Sequence, residues 1–375
     1  MSSELTEQQA FLVLNALPNI GPITLNRLLA ELDGDPRAVF TAGAHRLSSV
    51  KGVGPVISTT ITGWRDHFDL AREEQRMAQA GVAFITTRDP GYPKLLKEIN
   101  DPPIGLYRRG RHEFPEPCIA IVGSRRTTLY GQSIAKKLGG ELARLGFCVV
   151  SGLARGIDTA AHEGALAAGG KTAAVLGTGI DLIYPPENLG LYRQLEETGA
   201  ILSEFPFGRR ADKQSFAMRN RIVSGMCEAV VVVESDVSGG AMITARFAGE
   251  QGRLLFAVPG RIDQNSSAGC HQLIRDGATL LTSVDDILSE LSYLDGLRPA
   301  AIGEKAVDVV AGRPATLTDD EARVFECFRG GSILSPDALA AQTDLSAAQV
   351  SAILMMLELK RLIAKHADGM FEARG

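Results

Sequence analysis

From about residue 115 to about residue 290, short apolar runs alternate with stretches of helical periodicity, and this alternation constrains the fold strongly. The predicted strands are Cys118–Val122, Phe147–Val150, Thr172–Leu176, Ala200–Ser203, Ala229–Val233 and Leu254–Val258, with a further candidate at Thr279–Leu281. Predicted helices such as Gly131–Leu145 lie between them. Continuous apolar strands separated by helices indicate a buried parallel sheet. We therefore predict an α/β fold with an extended Rossmann-like, mostly parallel sheet.

The sequence before this alternation indicates a small helical domain over residues 1–80. Two segments, beginning at Leu17 and Val50, each place Gly-Pro ahead of a helical apolar pattern, and proline is favourable just inside a helix start. Both segments resemble helix-hairpin-helix (SAM-like) motifs, in which backbone amides near the glycines hold a DNA phosphate. The alternative is a bundle in which these turns only pack helices. We favour it because acids slightly outnumber bases here.

The sequence after the alternation indicates a winged helix. Its predicted elements are helices at Asp319–Phe328, Ser335–Ala341 and Ser346–Leu359, then a hairpin over Ile363–Phe371 with a turn at Asp368-Gly369. The predicted recognition helix has no base before Lys360, and acids outnumber bases over residues 316–375. Because duplex binding depends on phosphate neutralisation, we expect this module to dock a protein. The predicted boundaries are a helical domain at 1–80, a Rossmann-like domain at 81–295, a linker at 296–315 and a winged-helix-like domain at 316–375.

Composition limits the function classes. The 375 residues carry a formal net charge of −5, so a nucleic-acid site has to be a local basic patch. The five cysteines are scattered without a CxxC pair, which argues against a disulfide framework and against a zinc site. The N-terminus has acids where a signal peptide has bases, and no apolar run approaches the roughly 20 residues of a membrane span. We expect a cytoplasmic protein with no metal and no membrane contact.

The loops that follow the predicted strands carry the candidate site, because ligands of parallel sheets bind outside the carboxyl ends of the strands. Basic residues, glycines and helix N-termini concentrate in these loops, and aromatic residues stand among the basic residues of the loop after the fourth predicted strand. Such a surface is suited to phosphates and to stacked bases. The predicted DNA-binding residues are Gly123, Ser124, Arg125, Arg155, Lys213, Phe216, Arg219, Asn220, Arg221, Ser238, Gly239, Gly240 and Thr244.

Nucleotide cofactors are not expected. The loop after the first strand lacks G-x-G-x-x-G, and Gly177-Thr-Gly179 lacks a third glycine, so we expect neither a nicotinamide nor a flavin. The segment ending in Lys171-Thr172 nearly spells a P-loop, but it lacks the first glycine and precedes a strand instead of following one. We interpret Lys171 as a lysine at a helix end rather than as part of an ATP site.

The sequence offers few catalytic groups. Asp158 and His162 are four residues apart on a predicted helix and are candidates for an acid–base pair. We favour the alternative, in which Asp158 is a helix N-cap and His162 is structural and holds a loop. Glu204 follows a strand and either lies near the site or pairs with an arginine there. We predict no catalytic residue and no enzyme activity.

Several motifs together resemble one known family, the DNA-processing protein A (DprA, or Smf) family. They lie at residues 119–125, 151–162, 174–181, 219–225 and 238–246, followed by Phe256-Ala-Val-Pro-Gly260. The resemblance covers the central domain, and the flanking modules are also similar. It implies binding and protection of single-stranded DNA during natural transformation, loading of the RecA recombinase, and dimers formed through the Rossmann-like domain. It also implies that Arg125 and Lys213 hold phosphates and that Phe216 stacks on a base.

Two rival functions remain open on the sequence. The segment Ser238-Gly-Gly-Ala-Met-Ile-Thr244 resembles the phosphate loop of nucleotide-hydrolysing phosphoribohydrolases, although their catalytic glutamate and arginine pattern is not evident. The second rival is a pure interaction scaffold, whose basic edge binds an acidic protein. AMP hydrolysis would favour the first rival, and competition by oligothymidine would argue against the second.

Overall fold

The computed structural model describes residues 5–114, 116–294, 317–328, 332–366 and 369–373. These residues form two compact units. The larger unit holds the described residues up to 127 and those from 134 to 294. The smaller unit holds residues 128–133 and the described residues from 317 to 373. The predicted linker at 296–315 lies outside the described residues. Within those residues, no helix has both the length and the apolar character that a bilayer crossing requires.

Nine strands within the described part of the larger unit form one sheet. The strands are β1 (Ala83–Thr86), β2 (Gly105–Gly110), β3 (Cys118–Val122), β4 (Cys148–Ser151), β5 (Thr172–Leu176), β6 (Ala200–Ser203), β7 (Ala229–Val232), β8 (Leu254–Ala257) and β9 (Thr279–Leu280). Their order is β1-β2-β6-β5-β4-β3-β7-β8-β9. The seven strands from β6 to β9 in this order are parallel. The predicted Rossmann-like, mostly parallel sheet is therefore confirmed.

The seven predicted strands all form, with ends that shift by no more than one residue. Strands β1 and β2 are not part of the prediction. They add antiparallel pairs at the β6 edge, with Phe84 opposite Tyr107 in one ladder and Tyr107 opposite Ser203 in the next. Parallel strands buried on both faces give continuous apolar runs, whereas β2, which lies between the edge strand β1 and β6, carries Arg108 and Arg109. β2 therefore lacks the pattern on which the prediction depended.

Helices cover both faces of this sheet. They are α7 (Leu129–Arg144), α8 (Ile157–Ala167), α9 (Leu189–Thr198), α10 (Lys213–Gly225), α11 (Gly240–Glu250), α12 (Asn265–Arg275) and α13 (Val284–Glu290). The core of one face joins α7 and α8, and the core of the other joins α10, α11 and α12. This packing of helices on both faces places the N-termini of α8, α10, α11 and α12 at the carboxyl edge of the sheet.

The N-terminal residues form short helices, as predicted. They are α1 (Glu7–Ala16), α2 (Pro22–Glu31), α3 (Ala38–Thr41), α4 (Ala44–Ser48), α5 (Pro55–Thr62) and α6 (Leu70–Ala80). Pro22 and Pro55 stand at the first helical position after Gly21 and Gly54, as the paired motifs suggested. Their apolar core is continuous with the sheet through residues such as Phe84 and Tyr107. The boundary at residue 80 stays a prediction.

Glu73 of α6 ties the N-terminal helices to the loop after β6. Its Oε1 accepts hydrogen bonds from Tyr107 Oη and from Phe207 N, both at 2.9 Å. Burial raises the pKa of the Glu73 carboxyl, although these two hydrogen bonds and Arg76 oppose that effect. The N-terminal helices therefore fix the loop that leads to α10.

The Glu73 pKa has a consequence for stability. A carboxyl whose pKa is raised on folding stabilises the protein fully below its unfolded pKa of about 4.5, and this contribution is lost as the pH rises through the folded pKa. We expect Glu73→Gln, which keeps the accepting oxygen, to remove this decline from a plot of Tm against pH. Glu73→Ala leaves two donors without their acceptor and is expected to cost about 1–3 kcal/mol. Parallel Tm profiles for wild type and Glu73→Gln would contradict this role.

The smaller unit has the order of elements that the sequence predicted. It contains α14 (Asp319–Glu326), β10 (Ile333–Leu334), α15 (Pro336–Thr343), α16 (Ala347–Leu359), β11 (Ile363–Lys365) and β12 (Phe371–Ala373). Strands β11 and β12 pair as an antiparallel hairpin, and β10 adds a third strand that was not predicted. Asp368 of the predicted turn lies outside the described residues. Gly369 has a φ of 85°.

The exposed face of α16 is poor in charge. Met355, Met356 and Leu359 are exposed on it. Lys360, the first of two bases after the helix, is paired with Glu321 at 2.7 Å, and Arg361, the second, is exposed. Lys360 is therefore engaged within the unit. The expectation that the module docks a protein rather than duplex DNA stays a prediction.

Candidate nucleic-acid interface

A cleft of about 720 Å³ opens at the carboxyl edge of the sheet, between the loops that follow β3 and β7. These strands are neighbours in the sheet, although β4, β5 and β6 come between them along the chain. The chain leaves them toward opposite sides, and this divergence opens the crevice in which α/β sheets bind ligands. We call it the switch cleft. Its walls come from the loops after β3, β4 and β7 and from the starts of α10, α11 and α12.

The loop after β3 is held from both sides. Ser124 N donates to Glu234 O, two residues beyond β7, at 2.7 Å, and Ile157 N at the start of α8 donates to Ser124 O at 3.2 Å. With its backbone engaged in this way, the loop leaves the side chains of Arg125 and Arg126 exposed at the cleft. Two guanidinium groups on a fixed backbone are suited to phosphate oxygens.

Phe216 of α10 provides an aromatic surface in the cleft. Its ring packs directly on Gly177, where a Cβ would lie 2.8 Å from Phe216 Cδ1. The Arg125 guanidinium lies 4.8 Å from the ring centroid, within the range of a cation–π contact. The Tyr184 ring lies on a neighbouring side, 5.8 Å away and tilted by 48°. Gly177 belongs to Gly177-Thr-Gly179, the segment that lacks the third glycine of a dinucleotide-binding motif. Its close contact with the Phe216 ring explains why this position has no side chain.

Arg219 lies one turn farther along α10 and forms the base of the cleft. The residue is 4% exposed, and its Nη1 donates to Val175 O. Its guanidinium covers Gly152 so closely that a Cβ at that position would collide with it. Burial lowers the pKa of Arg219 to about 10, with Asp158 opposing and Arg125 adding to that shift. The side chain therefore keeps its positive charge at neutral pH.

Asp158 and His162 have structural contacts. The N-cap of α8 is Gly156, so the expectation that Asp158 is the N-cap is wrong by two residues. Asp158 Oδ2 instead accepts hydrogen bonds from Gly152 N at 3.0 Å and Ala154 N at 3.3 Å, and it holds the loop after β4. Burial raises the pKa of Asp158, with Arg219 opposing, and burial together with Arg219 lowers the pKa of His162 to about 3.

His162 is buried, and because its pKa is lowered it is neutral at ordinary pH. Its Nδ1 lies 2.7 Å from Thr172 Oγ1 at the start of β5. His162 therefore connects α8 to the sheet. From the sequence, it was expected to hold a loop. Asp158 holds the loop instead.

The loop after β7 brings a helix N-terminus to the cleft. Asp236 Oδ1 accepts from Ser238 N at 2.7 Å and from Ser238 Oγ at 2.8 Å, which turns the chain into α11. The N-cap Gly239 makes no side-chain cap, so the first amides of α11 are not used by a capping side chain. The positive end of the helix dipole favours an anion here.

The structure gathers most of the predicted residues in one place. The cleft is lined by the predicted residues Gly123, Ser124, Arg125, Lys213, Phe216, Arg219, Asn220, Ser238, Gly239, Gly240 and Thr244. Arg155 and Arg221 do not line it. Arg155 is paired with Glu187 at 2.7 Å near Tyr184. Arg221 is buried and pairs with Glu204 at 2.5 Å and Asp101 at 3.1 Å, which answers the open question about Glu204.

Further lining residues were missing from the predicted set. They are Arg126, Asp158, Ser235, Asp236, Asn265 and Ser266, among others, and Tyr184 stands beside Phe216. Arg126 adjoins Arg125 in sequence, and Tyr184 ends the loop after β5, so both were within reach of the loop argument. Asn265 and Ser266 begin α12, and nothing in the sequence sets them apart from other helix starts.

Charge in the switch cleft is predominantly positive. Arg125, Arg126, Lys213 and Arg219 are its cations. Its carboxylates are Asp158, which holds backbone amides, and Asp236, which holds Ser238. Cations, an uncapped helix start and a ring with the Arg125 and Arg219 guanidinium groups 4.8 Å and 6.0 Å from its centroid are suited to an anionic ligand with aromatic groups.

A family model described as DNA recombination-mediator protein A matches residues 83–292, which is more than half of this chain. The chain belongs to the DNA recombination-mediator protein A family. A second model, the DprA winged helix domain, matches residues 311–369. The resemblance inferred from the motifs is confirmed, and with it a role in DNA processing and recombination mediation.

Relatives of the family cover most of the chain. Protein Smf of Synechocystis sp. is 32% identical over 98% of this chain and 99% of its own length. The solved structure of DNA processing protein A from Streptococcus pneumoniae has a TM-score of 0.68 at 32% identity, covering 76% of this chain and 98% of that chain. The corresponding protein of Helicobacter pylori was solved for its single-stranded DNA binding mode. It has a TM-score of 0.51 at 31% identity, covering 56% of this chain and 96% of that chain.

Proposed function

We propose that the switch cleft binds single-stranded DNA and that the protein protects incoming strands and helps to load RecA during natural transformation. The observation that carries this proposal is the placement of Phe216 beside Arg125, with Lys213 at the start of the same helix. A flexible strand presents both phosphates and unstacked bases, and the cleft offers cations and a ring together. The single-stranded DNA binding mode described for the Helicobacter pylori protein supports the proposal.

Each group has a distinct role in this proposal. Arg125, Arg126 and Lys213 hold phosphates from the rim, where they are exposed. Phe216 stacks on a base that enters beside Arg125, and the start of α11 receives a further phosphate at Gly239 and Gly240. Arg219 positions Phe216 and adds charge from below. No chemical step is assigned to any residue, and the protein acts by binding.

The proposal extends to assembly and place of action. The protein acts in the cytoplasm, as a homodimer formed through the large unit, and hands its strand to RecA. Sedimentation tests the dimer, and the lag before RecA filaments form on single-stranded DNA tests the loading role. Sedimentation is independent of DNA affinity, so the dimer can fail by itself. The RecA lag is measured at a protein concentration that saturates the DNA, so that a missing effect on the lag counts against loading and not against DNA binding.

The decisive experiment is a salt titration of binding. We would measure the fluorescence anisotropy of a labelled oligonucleotide with wild type, Lys213→Ala and the control Lys137→Ala, whose lysine is an exposed residue of α7 outside the cleft. Each lost phosphate contact should lower the slope of log affinity against log salt by about 0.7. We expect this change for Lys213→Ala alone. Displacement by AMP but not by unlabelled oligonucleotide would overturn the proposal and favour a small-nucleotide pocket.

A further inference from the structure

The amino ends of β3 and β4 carry a cluster of metal-ligand side chains at the opposite edge of the sheet from the switch cleft. His112 Nε2, a Glu116 carboxylate oxygen and Cys148 Sγ all lie within 4.8 Å of one another. Cys118 faces Cys148 in the register of the parallel ladder, and its thiol lies within hydrogen-bonding reach of Cys148. We call these four residues the amino-end cluster.

The cluster is buried. His112 is 8% exposed, Cys118 is 4% exposed and Cys148 is fully buried. His112 Nε2 and Glu116 Oε1 lie 2.7 Å apart as an ion pair, and neither of these buried atoms has a hydrogen bond to any other group of the described residues. Buried polar atoms are ordinarily satisfied, so two such atoms pointing at each other call for an explanation.

We propose that the amino-end cluster is a zinc site in which His112, Glu116, Cys118 and Cys148 are the ligands. Two sulfurs, one imidazole nitrogen and one carboxylate oxygen make a tetrahedral donor set of the kind that zinc prefers. Zinc bonds of about 2.0–2.3 Å place neighbouring ligand atoms roughly 3.3–3.8 Å apart. The 2.7 Å between His112 Nε2 and Glu116 Oε1 has to widen to that spacing on zinc binding. Cys118 lies outside the set of atoms within 4.8 Å of one another, so its sulfur has to move toward His112 and Glu116 to complete the site.

Charge and access agree with this assignment. Two thiolates and one carboxylate carry three negative charges, which zinc reduces to one, and Lys171 faces Glu116 closely enough to offset the remainder. A cleft of about 530 Å³ opens beside the cluster and is lined by Glu116 and Cys118 together with Met226, Glu228 and Tyr293. An ion therefore has a route from solvent to two of the four ligands.

The scattered spacing of the cysteines argued against a zinc site, and the proposal departs from that expectation. Zinc motifs are recognised by short ligand spacings, whereas Cys118 and Cys148 are brought together by the pairing of two parallel strands. The site is closed, with four protein ligands and no position kept for a substrate, so its role is structural. It would join β3, β4 and the segment that connects β2 to β3.

The test uses the full-length protein. We would incubate it with zinc under reducing conditions, desalt it and measure bound metal and Tm, and then repeat the titration with cobalt to follow its thiolate charge-transfer absorption. We expect one zinc ion per chain and a rise in Tm. His112→Gln and Cys148→Ala should each weaken zinc binding by more than the 10- to 100-fold typical of a change outside the ligand shell. The control Cys270→Ala, at a buried thiol that contacts Val232 O, should bind zinc like wild type.

Two outcomes would overturn the proposal of a zinc site. The first is desalted wild type that retains no zinc, which would make His112 and Glu116 an ordinary ion pair. Equal zinc content in wild type and both ligand variants would place the metal elsewhere. His112→Gln keeps Cys148 in place, so it remains informative if Cys148→Ala fails to fold. Binding of single-stranded DNA is measured on the same samples, and it is expected to be unchanged by His112→Gln.

Discussion

Replacing Phe216 with alanine is expected to weaken binding of single-stranded DNA by about 1–3 kcal/mol, or roughly 5- to 150-fold in Kd. The ring rests on Gly177 and has Arg125 and Tyr184 beside it, so it offers a supported surface to a base. Phe216→Leu fills much of the same volume but has no π-face. If stacking is the main contribution, leucine and alanine should weaken binding to a similar degree, as measured by fluorescence anisotropy at one fixed salt concentration.

The chain contains a matched control for this substitution. Phe247 of α11 has the Arg246 guanidinium 5.4 Å from its ring centroid, the same kind of pair outside the lining of the switch cleft. We expect Phe247→Ala to leave DNA affinity unchanged. A loss of affinity confined to Phe216→Ala, with Phe216→Leu like wild type, would instead mean that the ring only fills space beside Gly177.

Replacing Arg221 with alanine is expected to destabilise the larger unit by roughly 3–5 kcal/mol without a specific effect on DNA binding. Its guanidinium is 3% exposed and pairs with Glu204 and Asp101. Burial already raises the pKa of Glu204, with Arg221 opposing that effect. Removing the cation leaves a buried carboxylate without its partner, and this cost exceeds the net value of the pair itself.

A double variant separates the ion pair from the loss of packing. Arg221→Met with Glu204→Leu removes both buried charges and keeps most of the volume, so we expect it to recover much of the lost stability. Tm and denaturant midpoints measure the first effect, and anisotropy on the folded double variant measures the second. Weak DNA binding by a fully stable Arg221→Ala would show instead that this arginine reaches the DNA.

The two arginines of the Arg219-Asn220-Arg221 run show where sequence reasoning ends. Both follow the same loop and both are cations, so a loop argument selects both. Residues two apart on a helix point to different sides, and the phase of α10 directs Arg219 to the cleft and Arg221 toward Glu204. That phase is set by packing of α10 on the sheet, which is not contained in the local sequence.

The sheet shows the same division. The buried parallel strands were predicted because each must be apolar on both faces, and this requirement is written into the local sequence. The strand order was not predicted, because it depends on which strands pair, and so does the contact between Cys118 and Cys148. The collection of Arg125, Lys213 and Phe216 at one edge was predicted without the order, since every parallel strand ends at the same edge.

The neighbouring position of β3 and β7 also has a consequence for synthesis of the protein. Thr127 and Glu234 are hydrogen-bonded partners in the finished cleft, yet they are 107 residues apart along the chain. A nascent chain that has emerged from the ribosome only as far as β6 presents Arg125 with no opposite wall. The ability to hold a ligand therefore arises late in translation, after β7 and α11 have emerged, and a message truncated before that point yields a product with an incomplete cleft.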